Sequence, residues 1–260
     1  MKEFKRNYNN FLLKGNNGSA VLFLHGFSAS GKPVEFLLRY LNSKGYTVMC
    51  PVLSGHVDLT QLNDYGPEDW LNDAKKNLNE LCQQYKKVFL IGASFGGNLA
   101  ITVAKDCPEV KGIITLESPI FFHFRIWFAF NFIRPILSFF KIDFIKKRRL
   151  WYRTRYTKRG DSFPYIPIKT AGKIYNFIKE RTMKDIREIA APMYIIQAER
   201  SDLIRKKSAK FIFDNIRSKI KKVEFIPLDN HDLDLFDEKE KNIMLEKIFH
   251  FMDKLEKSKG

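Results

Sequence analysis

The sequence predicts an α/β domain on a mostly parallel, doubly wound sheet, and three observations carry that reading. Short apolar runs alternate with helix-length amphipathic segments; the 260 residues suffice for one large core; and 45% hydrophobic composition with scattered Gly and Pro excludes collagen-like, disordered and low-complexity classes. The turn Gly15-Asn16-Asn17-Gly18 precedes a buried strand at Ala20–Leu24, and Pro33–Ser43 shows helical spacing at Phe36, Leu37, Tyr40 and Leu41. Tyr46–Cys50 is the next strand. A Gly/Pro-bearing loop leads to a helix from Pro67 with Trp70, Ala74, Leu78 and Leu81 on one face. Strand Val88–Ile91, helix Leu99–Lys105 and strand Gly112–Leu116 continue the alternation. Strand Met193–Ala198, helix Lys206–Ile216, strand Val223–Pro227 and helix Glu238–Leu255 close it. Strands alternating with helices imply a parallel sheet covered on both faces.

The region from about Pro119 to Thr182 breaks the rhythm. Residues 121–144 hold ten aromatics, and Lys141–Arg159 carries nine basic residues against one acid, Asp143. Such a segment between two strands reads as an inserted cap, so the chain divides into a first core segment at 1–118, an aromatic and basic cap at 119–182 and a second core segment at 183–260. The aromatics either pack the cap onto the core or build an acyl pocket that touches lipid surfaces.

Lysine and arginine number 45 against 29 acids, a net charge of +16 that favours anionic partners. Trp151-Tyr152-Arg153-Thr154-Arg155-Tyr156 has the interleaving of a base-stacking surface, but it suits a membrane surface or a solvated cap edge better, and nucleic acid is not expected. Phe121–Ile145 is interrupted by Arg125, Arg134-Pro135 and Lys141, too often for a membrane span, although it can lie on an anionic membrane surface. Cys50, Cys82 and Cys107 have neither metal-site spacing nor a disulfide pattern and read as free thiols. The N-terminus lacks a secretory apolar stretch, so a cytoplasmic protein, peripheral at most to the membrane, is expected. Neither a phosphate-binding loop nor G-x-G-x-x-G follows a strand, so no cofactor is expected, and no metal.

Gly92-Ala93-Ser94-Phe95-Gly96 follows strand Val88–Ile91 and opens a helix, the context that gives a G-x-S-x-G match its meaning. A strand reversing sharply into a helix projects Ser94 above the strand ends, where the helix N-terminus favours developing negative charge. His25-Gly26-Phe27 ends a neighbouring strand, so the backbone N–H groups of Phe27 and Phe95 are the candidate oxyanion donors. His25 itself reads as structural. His231, in the loop after Val223–Pro227, is the candidate base; His56, His123 and His250 lack that placement. Asp202, after Met193–Ala198, is the candidate acid that orients His231, with Glu117 competing and Asp229 and Asp232 too close to His231 in sequence.

On His25-Gly26-Phe27, Pro51–Gly55 with His56, Gly92–Gly97, Gln197-Ala198 with Asp202, and Asn230-His231, the chain resembles the α/β-hydrolase superfamily, in particular its small bacterial carboxylesterases and monoacylglycerol lipases. The resemblance implies an α/β-hydrolase fold, a Ser94–Asp202–His231 triad, an oxyanion hole at Phe27 and Phe95, and an acyl-ester substrate. Thioesterases and acyltransferases use the same triad, and a binding protein can sit on the same scaffold. Phe95 stands where Met or Leu is usual, Gly55-His56-Val57 lacks a second glycine, and the cap is unusually rich in Phe and Arg.

Overall fold

The computed structural model describes residues 9–146, 163, 165–227 and 237–258. Its core is a seven-stranded sheet formed by β1 (Phe11–Leu13), β2 (Ser19–Leu24), β3 (Thr47–Cys50), β4 (Lys87–Ala93), β5 (Val110–Leu116), β8 (Met193–Ala198) and β9 (Lys221–Ile226). The order across the sheet is β1-β3-β2-β4-β5-β8-β9. β1 pairs antiparallel with β3, and all other neighbours are parallel.

Alternation of side chains across the pleat divides the core in two. Leu22, Leu24, Leu90, Ile113 and Ile195 face one side, covered by α2 (Pro67–Gln84), α3 (Phe95–Ala104) and α7 (Lys207–Asn215). Val21, Phe23, Ile91, Ile114 and Ile196 face the other, covered by α1 (Glu35–Ser43) and α8 (Glu238–Lys257). Both faces of the central strands are buried, which is why they read as unbroken apolar runs. Each fully buried Leu, Ile or Phe contributes about 1.5–3 kcal/mol relative to exposure.

The expected elements are present, with shifted ends. The short 3₁₀ turn Lys32–Val34 precedes α1, and α3 begins at Phe95 instead of Leu99. β1 was not anticipated: three residues, Phe11–Leu13, are too few to show a period. At the far edge, β9 carries Lys221 and Lys222, while Glu224 is held by Lys222 at 3.0 Å and by Lys247. The cysteines are free thiols; Cys82 and Cys107 lie 3.9 Å apart, Sγ to Sγ.

Between β5 and β8 the chain leaves the sheet. α4 (Phe124–Phe128), a π turn at Ala129–Ile133 and α5 (Arg134–Phe139) follow one another, then the antiparallel pair β6 (Phe144–Lys146) and β7 (Tyr165–Pro167), then α6 (Ile168–Phe177). A second π turn, Ile178–Thr182, extends α6. α6 is tied down by Thr170, buried, whose hydroxyl donates to Leu62 O at 3.0 Å. Among the described residues no helix is long and apolar enough to cross a membrane.

α8 starts on a reciprocal cap: the Asp237 carboxylate accepts from Glu240 N–H at 2.8 Å, and Glu240 accepts from Asp237 N–H at 2.9 Å. The helix buries Met244, Leu245, Ile248, Met252 and Leu255 against the sheet. Asp237→Ala is therefore expected to cost about 1 kcal/mol, lowering the urea midpoint at constant slope. An unchanged midpoint would show that this cap does not stabilise α8.

Candidate active site

The site forms where β2, β4, β5 and β8 end side by side. β4 stops at Ala93 and α3 starts at Phe95, so Ser94 alone makes the reversal, at φ 51° and ψ −126°. For a non-glycine residue that conformation costs on the order of 1–3 kcal/mol, and persists only where the surroundings enforce it. They do so here: Ser94 N–H donates to Leu116 O of β5 at 2.7 Å, and Ser94 O accepts from Gly97 N–H at 3.0 Å. The first turn of α3 also lies hard against neighbouring backbone. A Cβ on Gly96 would come within 2.0 Å of Leu24 O, and one on Gly92 within 2.3 Å of Gly96 O. Those two contacts explain both glycines of the motif. Ser28 (φ 56°) and Glu117 (φ 55°) are also left-handed, so strain gathers past the ends of three strands that are neighbours in the sheet.

The loop after β2 runs beside the serine: a Cβ on Gly26 would be 3.1 Å from Ser94 Cβ and 3.7 Å from its Oγ. Phe27 follows Gly26 directly, and Phe95, as the first residue of α3, has an N–H with no intrahelical partner. Their side chains share one support. The Phe27 and Phe95 rings lie 5.9 and 5.8 Å from Trp70 of α2, and Phe177 of α6 packs 5.6 Å from Phe95. Trp70 is fully buried, with its indole N–H on Ser54 O at 2.8 Å.

His25 and His56 lie beneath this loop, fully buried and 4.7 Å apart between ring centres. His25 Nδ1–H donates to Gly26 O at 2.9 Å, and His25 Nε2 accepts from Leu53 N–H at 3.1 Å. Those partners fix a neutral tautomer and pin the loop after β2 to the loop after β3. Burial pushes the His25 imidazole down to about 4, and His56 falls well below the ordinary range through burial and the proximity of His25.

Glu117, just past β5, is buried, and its carboxylate accepts from Ala198 N–H at the end of β8. Asp202 is exposed, in the loop between β8 and α7. That loop is stitched to the chain leaving β5: Phe122 bridges Ile204, Arg205 N–H donates to Phe121 O at 2.9 Å, and His123 contacts Ser201 and Leu203. A cleft of about 480 Å³ is lined by His123, Glu199, Arg200, Arg205, Lys206 and Lys207, and Ser94 is not among its described walls. His231 lies outside the described residues, five positions past the end of β9.

A seven-stranded sheet with a strained serine between β4 and α3 defines an α/β-hydrolase. Residues 15–239 match the family described as serine aminopeptidase, S33, and the chain belongs to that family. It is 26% identical over 248 residues to a carboxylesterase of Bacillus subtilis (strain 168), covering 95% of this chain and 96% of that one. A thermostable monoacylglycerol lipase of Bacillus sp. (strain H-257) is 27% identical over 106 residues, 40% of this chain and 42% of that one. Among solved structures, one from a study of the metagenome-derived lipolytic enzymes LipS and LipT superposes with a TM-score of 0.82 at 21% identity, covering 96% of this chain and 99% of the other. A Paleococcus ferrophilus monoacylglycerol lipase gives 0.76 at 16% identity, covering 95% and 100%. The protein is a hydrolase of the carboxylesterase and lipase type.

The buried imidazoles set a pH dependence. A group whose folded pKa lies below its unfolded value binds protons more readily in the unfolded chain, so its stability contribution is complete above about pH 6.5 and is lost as pH falls toward 4. For His25 alone the loss by pH 5 is expected to be on the order of 2 kcal/mol, above the range where ordinary carboxylates titrate. Urea midpoints should fall between pH 6.5 and 5, less steeply in His25→Asn. Equal slopes in the two proteins would remove His25 as the cause.

Proposed function

We propose that the protein cleaves carboxylic esters through an acyl-enzyme, with Ser94 as nucleophile, His231 as general base and acid, and Asp202 orienting His231. The observation that carries this reading is the enforced left-handed conformation of Ser94 beside the Gly26-Phe27 loop. Ser94 Oγ adds to the ester carbonyl as His231 takes its proton. The oxyanion forms against the N–H groups of Phe27 and Phe95. Collapse expels the alcohol, which takes the proton from His231, and leaves the acyl group on Ser94. Water then repeats the sequence and releases the acid. The Glu117 carboxylate accepts from Ala198 N–H across the sheet edge, a structural duty that supports Asp202 as the orienting residue.

Ser94→Ala is expected to lower turnover of a nitrophenyl acyl ester by several orders of magnitude in a protein that still unfolds cooperatively, and to abolish labelling by a fluorophosphonate. Retained labelling would move the nucleophile elsewhere. Absence of labelling in the unaltered protein would favour a binding role on the same scaffold.

For the substrate we propose single-chain lipid esters of the monoacylglycerol kind, with 119–182 as the cap that forms the acyl pocket and meets an anionic lipid surface. The aromatics divide between two duties. Phe121, Phe122, Phe130 and Phe144 are half-buried, whereas Phe124, Phe139 and Phe140 are 70, 81 and 68% exposed, with Trp127, Phe128 and Phe132 beside them. Between Glu117 and Asp143 the sequence has no acid but contains Arg125, Arg134 and Lys141. Near an anionic leaflet each cation adds about 1 kcal/mol of attraction, and the exposed rings suit the interface. In a chain-length series of acyl esters, medium or long chains should be preferred, and anionic vesicles should bind the protein more weakly at high salt. Replacing both Phe139 and Phe140 by Ser should reduce that binding at unchanged stability. Preference for acetyl esters without vesicle binding would overturn the lipid reading.

A further inference from the structure

We propose that His123 is a positioning residue for the triad acid: it clasps the carbonyls on both sides of Asp202 and thereby couples the segment entering the cap to the catalytic machinery. The inference rests on the reading of Asp202 as that acid. His123 Nε2 lies 2.9 Å from Ser201 O, and His123 N–H donates to Leu203 O at 3.2 Å. A carbonyl can only accept, so Nε2 carries the proton and donates. Arg200, Arg205, Lys206, Lys207 and Glu199 share the cleft of His123. Ser201 and Leu203 flank Asp202 directly, so two bonds from one residue hold the peptide unit that enters Asp202 and the one that leaves Leu203.

The clasp belongs to a short ladder. Phe122 pairs with Ile204 in an antiparallel bridge, and Arg205 N–H reaches Phe121 O at 2.9 Å. Ser208, fully buried at the start of α7, closes it: its hydroxyl accepts from Phe121 N–H at 2.8 Å and donates to Phe121 O at 3.1 Å. Residues 120–123 lie at the start of the 119–182 cap segment, and residues 201–205 are the acid loop. Asp202 itself is exposed, in the loop between β8 and α7. The ladder ties that loop to the cap entry, so a displacement there is transmitted to the residue proposed to orient His231.

The test compares His123→Leu, which keeps the backbone bond but loses the ring donor, with His123→Gln, whose amide N–H replaces it. His123→Leu should lower kcat/KM for an acyl ester about three- to tenfold through kcat, leave KM nearly unchanged and move the acid limb of the pH profile to lower pH, because a misplaced carboxylate stabilises the imidazolium less. His123→Gln should restore both. Ser208→Ala, loosening the ladder from the helix side, should shift the limb in the same direction. An acid limb unmoved in a cooperatively folded His123→Leu protein, or a His123→Gln protein as impaired as the leucine variant, overturns the proposal. Asp202→Asn separates the two levels. If it keeps full turnover, the acid assignment fails and the clasp with it; if it is inactive while His123→Leu is unaffected, the clasp alone fails.

Discussion

The closeness with which the first turn of α3 lies on the ends of β2 and β4 is the constraint on which the remaining geometry rests. Backbone meets backbone at Gly96 and Leu24, at a distance that excludes a side chain. That contact leaves one residue to turn the chain, and Ser94 takes a conformation no unconstrained serine would keep. The hydrogen bond to Leu116 O extends the constraint to β5, so three adjacent strands share in holding one hydroxyl. Rigidity of the core is in this sense a property of the site, since the sheet supplies the positions and two glycines permit the approach.

A second line of support runs through the side chains. Trp70 stands under both loops that bear the proposed oxyanion donors, in contact with Phe27 on one side and Phe95 on the other. Phe177 continues the file into α6 by an edge-to-face contact, so the segment between β5 and β8 touches the nucleophile turn there, while the ladder at Phe121–His123 ties the same segment to the loop that carries Asp202. Buried neutral histidines brace the same region from below. They do so at the cost of tolerance to acid, because a proton on His25 Nε2 would displace Leu53 N–H and a proton on His56 Nε2 would be buried without a partner.

Elements with a long period and two buried faces were legible in the residues alone: Met193–Ala198 has the bounds expected, and the Trp70, Ala74, Leu78, Leu81 stripe is buried as its spacing implies. The motif Gly92–Gly96 was legible as the opening of a helix, but the regular turns of α3 were read only from Leu99, because Phe95-Gly96-Gly97 are poor helix formers that the close approach requires. β1 was too short to register. Ser94, Phe27, Phe95, Glu117 and Asp202 were legible as residues following strand ends, where sheet topology brings distant positions together. His123 was not, because its partners are backbone carbonyls 78 and 80 positions away and carry no residue signature. Which of the cap aromatics are half-buried and which exposed was equally invisible: composition reports how many rings there are, and only the helices decide which of them face outward.

The two edges of the sheet have a consequence for how the molecule keeps its own company. One edge is β1, three residues long and antiparallel; the other is β9, whose lysines and the Glu224 ion pairs place charge along the unpaired side. Short strands and lysine-rich edges are poor templates for strand addition. Growth of the sheet into fibres is thereby discouraged at both ends, and a net charge of +16 opposes crowding of any kind. Among the described residues the largest cluster of exposed rings is the aromatic ridge of α4, the following π turn and α5. That group of exposed rings thus sits on helices, whose peptide groups are mostly satisfied, and not along an unpaired strand.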